Sequence, residues 1–251
     1  MIEVKHITKS FDGRKVLDDV NVTFEEGKTN LVIGGSGSGK TVLLKCMVAL
    51  YDLDEGTIVY DGRDFTMLND QEKREIRKEF GMVFQAGALF DSQTVEQNVA
   101  FPLEMFSSMS PEERRERVDF CLNRVNLPNA AKLYPSQISG GMKKRVAIAR
   151  AIALNPRYLF CDEPNSGLDP KTSIVIDNLI HEITIEYNIT TVVNTHDMNS
   201  VLEIGDKIIY LNKGSKWWEG DKNEILDTDN KEINDFVYAS ELFKRIRKAS
   251  R

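Results

Sequence analysis

A chain of 251 residues with 41% hydrophobic and 29% charged residues can form one large globular domain or a domain with an insert. Its net charge of -6 argues against nucleic acid as the main partner. The amino terminus lacks a signal-peptide pattern, and no stretch reaches the roughly 20 apolar residues of a membrane span. If the protein works at a membrane, another chain is therefore expected to span it. The three cysteines are Cys46, Cys121 and Cys161, and their wide spacing matches no metal-binding motif. An odd number of widely spaced cysteines favours a reducing compartment.

Short strands alternate with helices along the chain. Residues 3–8 and 20–24 alternate like half-buried strands. Three apolar runs are typical of a parallel sheet: residues 29–35, 157–163 and 189–196. The pattern predicts an α/β fold.

The stretch GGSGSGKT follows one of these strands, precedes a helical run and fits the phosphate-binding pattern G-x-x-x-x-G-K-[ST]. Its glycines let backbone N–H groups point at an anion, and the start of the following helix favours phosphate. Lys40 is expected at the β- and γ-phosphates, and the Thr41 hydroxyl at Mg²⁺. A chance turn is the alternative, which the flanking strand and helix disfavour. The predicted nucleotide site comprises Gly34, Gly35, Ser36, Gly37, Ser38, Gly39, Lys40 and Thr41.

The clearest helix begins after Ser110, which forms a capping box with Glu113 and has Pro111 at the first helical position. Apolar residues then recur at helical spacing: Val118, Cys121, Leu122 and Val125. Cys121 is therefore expected in the core and not as a reactive thiol. No strand-like run occurs between residues 85 and 157, so an inserted helical subdomain is predicted there.

A second possible anion site consists of Ser139, Gly140 and Gly141 at the start of an apolar helix. One nucleotide in a monomer has no evident need of two such sites, whereas a symmetric dimer can offer this one to its neighbour's nucleotide. A glycine-containing helix cap is the alternative. The cations that follow are interpreted as a solvated helix face and not as a nucleic-acid contact: Lys143, Lys144 and Arg145.

Two carboxylates, Asp162 and Glu163, end the strand run RYLFCDE. Ligands bind at the carboxyl ends of parallel strands. We expect Asp162 in the Mg²⁺ shell and Glu163 to orient and deprotonate the attacking water. Both side chains can reach one site if the chain turns there. A functionless acidic strand end is the alternative, which the phosphate motif disfavours.

Together these motifs resemble the ordered set of ABC transporter ATPases: Gly34–Thr41, Gln85, Ile138–Met142, Asp162–Glu163, Ser166–Asp169 and His196. The resemblance implies a RecA-like P-loop core with an antiparallel β portion over residues 1–225. It places the helical subdomain at about 86–156, followed by a helical extension at 226–251. It also implies an ATP-hydrolysing enzyme that uses ATP and Mg²⁺ and works as a head-to-tail homodimer.

The resemblance assigns roles to individual residues. Phe11 stacks on adenine, and Asp169 communicates across the dimer. The partner's γ-phosphate is reached by Ser139 and Gly141, with Gly140 between them. The implied catalytic groups are Glu163, His196, which hydrogen-bonds the γ-phosphate, and Gln85, which contacts Mg²⁺ and water. The implied metal ligands are Thr41, Gln85 and Asp162.

Two positions depart mildly from the family pattern. Met142 replaces the commoner Gln, and Asn165 stands where Thr is usual. Neither change removes a group that does chemistry.

The segment after Gln85 carries the apolar pair Leu89 and Phe90. In the family this segment helps to form a groove for a cytoplasmic helix of the membrane permease, so the pair is expected to dock there. Packing inside the helical subdomain is the alternative. The sequences of residues 84–103, 139–156 and 162–170 resemble the ATPases of Mla-type phospholipid transporters, which work with MCE-domain (mammalian cell entry) proteins.

The resemblance therefore predicts transport of phospholipid or related hydrophobic cargo from the cytoplasmic face of the inner membrane, with a permease and an MCE-domain partner. One alternative is an ATPase for an amino acid or another small solute. Another is a soluble ABC ATPase that acts on macromolecules, which the single cassette without a coiled insert disfavours.

Near the carboxyl terminus, Trp217 and Trp218 are predicted in a strand at the sheet edge. The last 22 residues form an amphipathic pattern with a basic end. This helix is expected to pack on its own domain or across the dimer, with anionic lipid as the alternative. The predicted apolar face comprises Ile233, Phe236, Val237, Phe243 and Ile246.

Overall fold

The computed structural model describes residues 1–238 and contains two β-sheets. The smaller sheet is antiparallel and has the strand order β2-β1-β4-β5. Its strands are β1 (Ile2–Phe11), β2 (Arg14–Phe24), β4 (Glu55–Tyr60) and β5 (Arg63–Asp64). This sheet is the antiparallel portion that the motif set implied.

The larger sheet has the order β10-β9-β3-β8-β7-β6 and is parallel except for β10. Its strands are β3 (Thr29–Ile33), β6 (Phe80–Val83), β7 (Tyr158–Asp162), β8 (Thr190–Thr195), β9 (Lys207–Asn212) and β10 (Ser215–Gly220). The predicted runs form β3, β7 and β8, and both Trp217 and Trp218 lie in the edge strand β10. These predictions are confirmed.

Three of the described α-helices and a short 3-10 helix (Pro135–Gln137) lie between β6 and β7 along the chain. Those three are α3 (Val95–Phe106), α4 (Pro111–Arg124) and α5 (Gly140–Ala151). The others are α1 (Lys40–Met47), α2 (Asp70–Arg77), α6 (Pro170–Glu186), α7 (Met198–Ile204), α8 (Glu224–Asp227) and α9 (Lys231–Val237). No helix within residues 1–238 is long and apolar enough to cross a membrane.

Helix α4 begins as the sequence predicts. Ser110 Oγ accepts a hydrogen bond from the Glu113 N–H at 3.2 Å, and the Glu113 carboxylate accepts one from the Ser110 N–H at 2.7 Å. Such a box satisfies two N–H groups that the helix itself leaves unpaired. Cys121 is fully buried, and burial raises the pKa of its thiol to about 11. The core assignment of Cys121 is therefore confirmed, since a thiol of this kind is inert.

Alternate residues of the central strands face two different cores. Leu31, Ile33 and Leu159 face the core that includes α5 and α6. Val32 and Phe160 face the core shared with α1 and the smaller sheet. A parallel sheet covered on both faces needs continuous apolar strands, which explains the unbroken runs in the sequence.

The described part of the carboxyl-terminal stretch packs on its own chain. Ile233 and Val237 of α9 are buried, and the Phe236 ring centroid lies 5.4 Å from that of Tyr210. The predicted continuation through Phe243 and Ile246, with its basic end, lies outside the described residues.

Candidate functional site

Four parallel strands end at the same edge of the larger sheet. The strand β3 leads into Gly34, β6 into Gln85, β7 into Glu163 and β8 into His196. The pairing register aligns these ends, because Ile33 pairs with Thr195 and Asp162 with Asn194. This is the edge where open α/β sheets bind ligands.

The phosphate-motif loop is held between β3 and α1 by close backbone packing. A Cβ on Gly34 would lie 2.2 Å from the Leu211 carbonyl oxygen, and a Cβ on Gly39 would lie 2.9 Å from the Val16 carbonyl oxygen. Both residues have positive φ, at 151° and 106°. Only glycine fits these two positions without displacing the neighbouring chain.

Two polar side chains of this loop point inward. The Lys40 side chain is 7% exposed, and its Nζ donates to the carbonyl oxygens of Gly34 at 2.8 Å and Gly35 at 3.1 Å. Burial lowers the pKa of Lys40, while the nearby carboxylates of Glu163 and Asp162 act in the opposite direction. Ser38 Oγ is buried and has no hydrogen-bond partner within residues 1–238. An unpartnered buried hydroxyl is costly, and a phosphate oxygen would satisfy it.

A cluster of oxygen-bearing side chains lies beside the phosphate-motif loop. Thr41 Oγ1 donates to Asp162 Oδ1 at 3.1 Å, and Asn194 Nδ2 donates to the same oxygen at 2.9 Å. Hydroxyl and carboxylate oxygens are the donors that Mg²⁺ prefers. Within residues 1–238, no three or more His, Cys, Asp or Glu side chains form a group that could hold a metal ion.

Glu163 occupies the centre of the site. Its φ of 46° turns the chain at the end of β7, which brings adjacent Asp162 and Glu163 to one place. Glu163 Oε1 lies 3.1 Å from His196 Nδ1, and Glu163 Oε2 accepts from Gln85 Nε2 at 3.2 Å. Gln85 Nε2 also lies 3.3 Å from Ser166 Oγ. The structure thus joins the ends of β6, β7 and β8 through one carboxylate.

The other predicted site residues lie apart from this group. Ser139 Oγ accepts from the Met142 N–H at 3.2 Å, and a Cβ on Gly141 would lie 2.7 Å from Thr172 Cγ2. Asp169 caps α6 by accepting from the Thr172 N–H at 3.1 Å. Among residues 1–238, no hydrogen bond, ion pair or ring contact links Ser139, Gly140, Gly141 or Asp169 to the phosphate-motif loop.

Phe11 lies at the end of β1 and is 37% exposed. Its ring meets Tyr51 edge to face at a centroid distance of 5.2 Å. Lys9 Nζ lies 5.4 Å from the Phe11 centroid. The ring therefore has a free part that a planar ligand could cover.

The interpretation of residues 143–145 as a solvated face is wrong for Lys144. Lys144 is 6% exposed, and its Nζ donates to the Gln85 carbonyl oxygen. Arg150, six residues later in α5, donates to the carbonyl oxygens of Gly87 and Ala88, each at 2.8 Å. Burial lowers the pKa of both cations. Helical spacing could have indicated that Lys144 is buried, because this residue precedes the buried residues Ala147 and Ile148 by three and four positions.

The segment held by α5 borders an apolar groove of about 500 Å³. Phe90 is 40% exposed there, with its ring centroid 4.8 Å from that of Phe101. Leu89 is half-buried and packs against the main core. Each alternative for this pair therefore fits one residue: Leu89 packs inside the chain, and Phe90 faces the groove. Other lining residues are Phe80, Met82, Phe84, Phe101 and Phe106.

Comparison with known proteins identifies related sequences. A family model described as ABC transporter matches residues 17–166. The methionine import ATP-binding protein MetN of Clostridium acetobutylicum is 38% identical over 241 residues, which cover 96% of this chain and 75% of that protein. The probable ribonucleotide transport ATP-binding protein mkl of Mycobacterium tuberculosis is 36% identical over 236 residues, which cover 94% of this chain and 66% of that protein.

Solved structures show the same architecture. An ATP-binding cassette solved as a dimer in a post-hydrolysis state with ADP and Pi superposes with a TM-score of 0.81 at 36% identity, covering 88% of this chain and 99% of its own. The protein cbiO1 of Clostridium perfringens, part of an ABC transporter complex, superposes with a TM-score of 0.85 at 28% identity, covering 99% of this chain and 98% of its own.

Proposed function

The chain belongs to the ABC transporter family of ATP-binding domains, and from that premise we propose that it hydrolyses ATP to drive a separate membrane permease. The observation that carries the proposal is the meeting of Lys40, Asp162, Glu163 and His196 at the carboxyl edge of the larger sheet. A cation, an oxygen-rich metal position and a candidate base are the groups that phosphoryl transfer to water requires.

The nucleotide phosphates would bind in the loop from Gly34 to Thr41. Backbone N–H groups at the start of α1, the unpartnered Ser38 hydroxyl and Lys40 would contact their oxygens. The exposed part of the Phe11 ring would cover the adenine.

Mg²⁺ would be held by Thr41, Asp162 and Gln85, and the existing Thr41–Asp162 contact of 3.1 Å fits that role. In that position the ion would supply positive charge to offset the negative charge of the phosphate oxygens.

Glu163 would orient the attacking water and accept its proton. His196 would contact the γ-phosphate, and Gln85 would contact the metal and the water. In the structure these two side chains hold both Glu163 oxygens, at 3.1 and 3.2 Å, which supports a fixed orientation for the base.

A head-to-tail homodimer would complete each site. Within residues 1–238, no hydrogen bond, ion pair or ring contact links Ser139, Gly140, Gly141 or Asp169 to the phosphate-motif loop, and residues placed in this way can serve a neighbouring subunit. A related cassette solved as a dimer adds support.

The permease would dock in the apolar groove that Phe90 lines, which would place the chain peripherally at the cytoplasmic face of the inner membrane. In this arrangement the helical subdomain, at about 86–156, would carry the second anion site and would line the groove together with residues 80–84. The catalytic domain would span residues 1–225, and residues 226–251 would form the extension.

For the cargo, the names of relatives favour a small solute of the amino-acid class over phospholipid. A second candidate is phospholipid with an MCE-domain partner, which rests on the resemblance of residues 84–103, 139–156 and 162–170 to that branch of the family. Because the cargo passes through the permease and not this chain, purification of the intact complex and mass spectrometry of bound molecules would separate the two.

Glu163→Gln tests the catalytic assignment. The change keeps the shape of the side chain but removes its basicity, so phosphate release should fall by roughly 10²–10⁴-fold while ATP binding persists. ATP should then hold the dimer closed, which size-exclusion chromatography can detect. Near-normal turnover would exclude Glu163 as the base.

A further inference from the structure

Three polar side chains form a buried triad beneath the site. Asn165, Asp177 and Ser200 are 8%, 3% and 1% exposed. Asn165 Nδ2 donates to Asp177 Oδ1 at 3.3 Å and Oδ2 at 3.1 Å, and lies 2.9 Å from Ser200 Oγ. Ser200 Oγ donates to Asp177 Oδ2 at 2.7 Å. Each member therefore contacts the other two.

Each triad member lies on a segment that carries a site residue. Asn165 stands between Glu163 and Ser166, in the turn that follows β7. Asp177 lies in α6, whose first turn Asp169 caps. Ser200 lies in α7, four residues after His196. The triad thus ties the Glu163 turn, α6 and α7 together.

A carboxylate at this place is costly. Asp177 lies on the buried face of α6 between Ser173 and Ile180, and none of its contacts within residues 1–238 is an ion pair. Burial raises its pKa to about 6, while the Ser200 and Asn165 hydrogen bonds act in the opposite direction. The nearby Asp197 and Glu203 carboxylates add to the rise. An apolar side chain would fill the position at lower cost, so stability alone does not account for Asp177.

We propose that Asp177 is a positioning residue for hydrolysis, which through Asn165 and Ser200 keeps Glu163 and His196 at their contact of 3.1 Å. The inference rests on the roles proposed above for Glu163 and His196. Without the triad, the turn after β7 and the start of α7 lose their common anchor. Misplacement of catalytic groups by about 1 Å can cost on the order of 10²-fold in rate.

The test compares Asp177→Asn with the exchanged pair Asn165→Asp plus Asp177→Asn. The single variant places two amides face to face, whereas the exchange restores one carboxylate and one amide of the same shapes. We expect the single variant to lower kcat roughly 10- to 100-fold with little change in KM for ATP, because Lys40 and its loop are untouched. The exchanged pair should recover kcat to within about threefold of the wild type.

Thr184→Val is the matched control. Thr184 is fully buried in the same helix, and its Oγ1 bonds to the Ile180 carbonyl at 2.8 Å and to Thr191 Oγ1 at 2.6 Å, away from the site turns. It should lower the melting temperature but leave kcat unchanged. If Asp177→Asn does not fold, Ser200→Ala removes the two triad bonds of Ser200 but leaves the Asn165–Asp177 pair, and it should lower kcat in the same direction.

Normal kcat in a folded Asp177→Asn or Ser200→Ala protein would overturn the inference. So would an equal loss in Thr184→Val, or an exchanged pair that folds but stays as slow as the single variant. Measuring Glu163→Gln alongside separates the proposed catalytic role of Glu163 from the proposed positioning role of Asp177. If Glu163→Gln is inactive and Asp177→Asn is normal, only the positioning role fails, whereas an active Glu163→Gln protein overturns both.

Discussion

Replacement of Phe90 by serine tests the docking groove. Complete burial of a Phe side chain is worth about 1.5–3 kcal/mol. Since 40% of Phe90 is exposed in the isolated chain, docking can bury only that remaining fraction, about 0.6–1.2 kcal/mol. Phe90→Ser should therefore weaken permease binding roughly 3- to 8-fold. ATP binding by the isolated chain should not change, because Phe90 does not contact the phosphate-motif loop.

Phe120→Ser is the matched control for this measurement. Phe120 lies in α4, is 45% exposed and does not line the groove. Both variants should lose comparable stability in the isolated chain, about 1–2 kcal/mol for the buried portion of each ring. The assay titrates each variant against the co-purifying permease in lipid nanodiscs, beside a thermal melt. Equal weakening by both variants, or undiminished binding by Phe90→Ser, would refute the docking of a permease in this groove.

Two further predictions concern the dimer and the pH dependence of stability. Ser139→Arg should abolish hydrolysis with little loss of ATP binding to the isolated chain. Mixing this variant with Lys40→Ala chains should restore one competent site per heterodimer, which phosphate release from confirmed heterodimers measures. Heterodimers without activity would contradict action in trans or show that both sites must act together. The Asp177 pKa is about 6 in the folded chain and roughly 3.9 in an unfolded one, so the folded state binds this proton more tightly. Relative to Asp177→Asn, the wild type should gain at most about 3 kcal/mol of unfolding free energy as the pH falls from above 6 to below 4, measured by urea titration. A wild-type advantage that shrinks over this range would contradict the assignment.

Much of the fold is visible in the sequence because its signals are local. Buried parallel strands are short apolar runs, as in β3, β7 and β8, and the Ser110 cap marks the start of α4 within four residues. The strands β4, β5, β6 and β9 escaped the analysis. The strand β6 has only four residues and directly follows the charged helix α2, so neither its length nor its composition distinguishes it.

In the candidate site, too, some features are local in the sequence and others depend on tertiary packing. The anion site proposed for residues 34–41 would use adjacent backbone N–H groups and side chains within one turn of helix, so the motif itself predicts the chemistry. The hydrogen bond from Lys144 to the Gln85 carbonyl spans 59 positions, and Asn165 meets Asp177 across 12. Such pairs exist only once α5 has packed beside β6 and once α6 and α7 have packed together.

The sequence by itself determined the family, the phosphate-motif loop and the carboxylates at the strand ends, since each motif is a short run of neighbouring residues. Tertiary structure alone decided that Lys144 meets the Gln85 carbonyl, that Leu89 packs inward while Phe90 faces a groove, and that Asp177 bonds to Asn165 and Ser200. Those outcomes depend on which helix faces cover the sheet. Hydrophobic burial selects those faces through contacts that are distant in the chain, and polar residues on them must then find partners there.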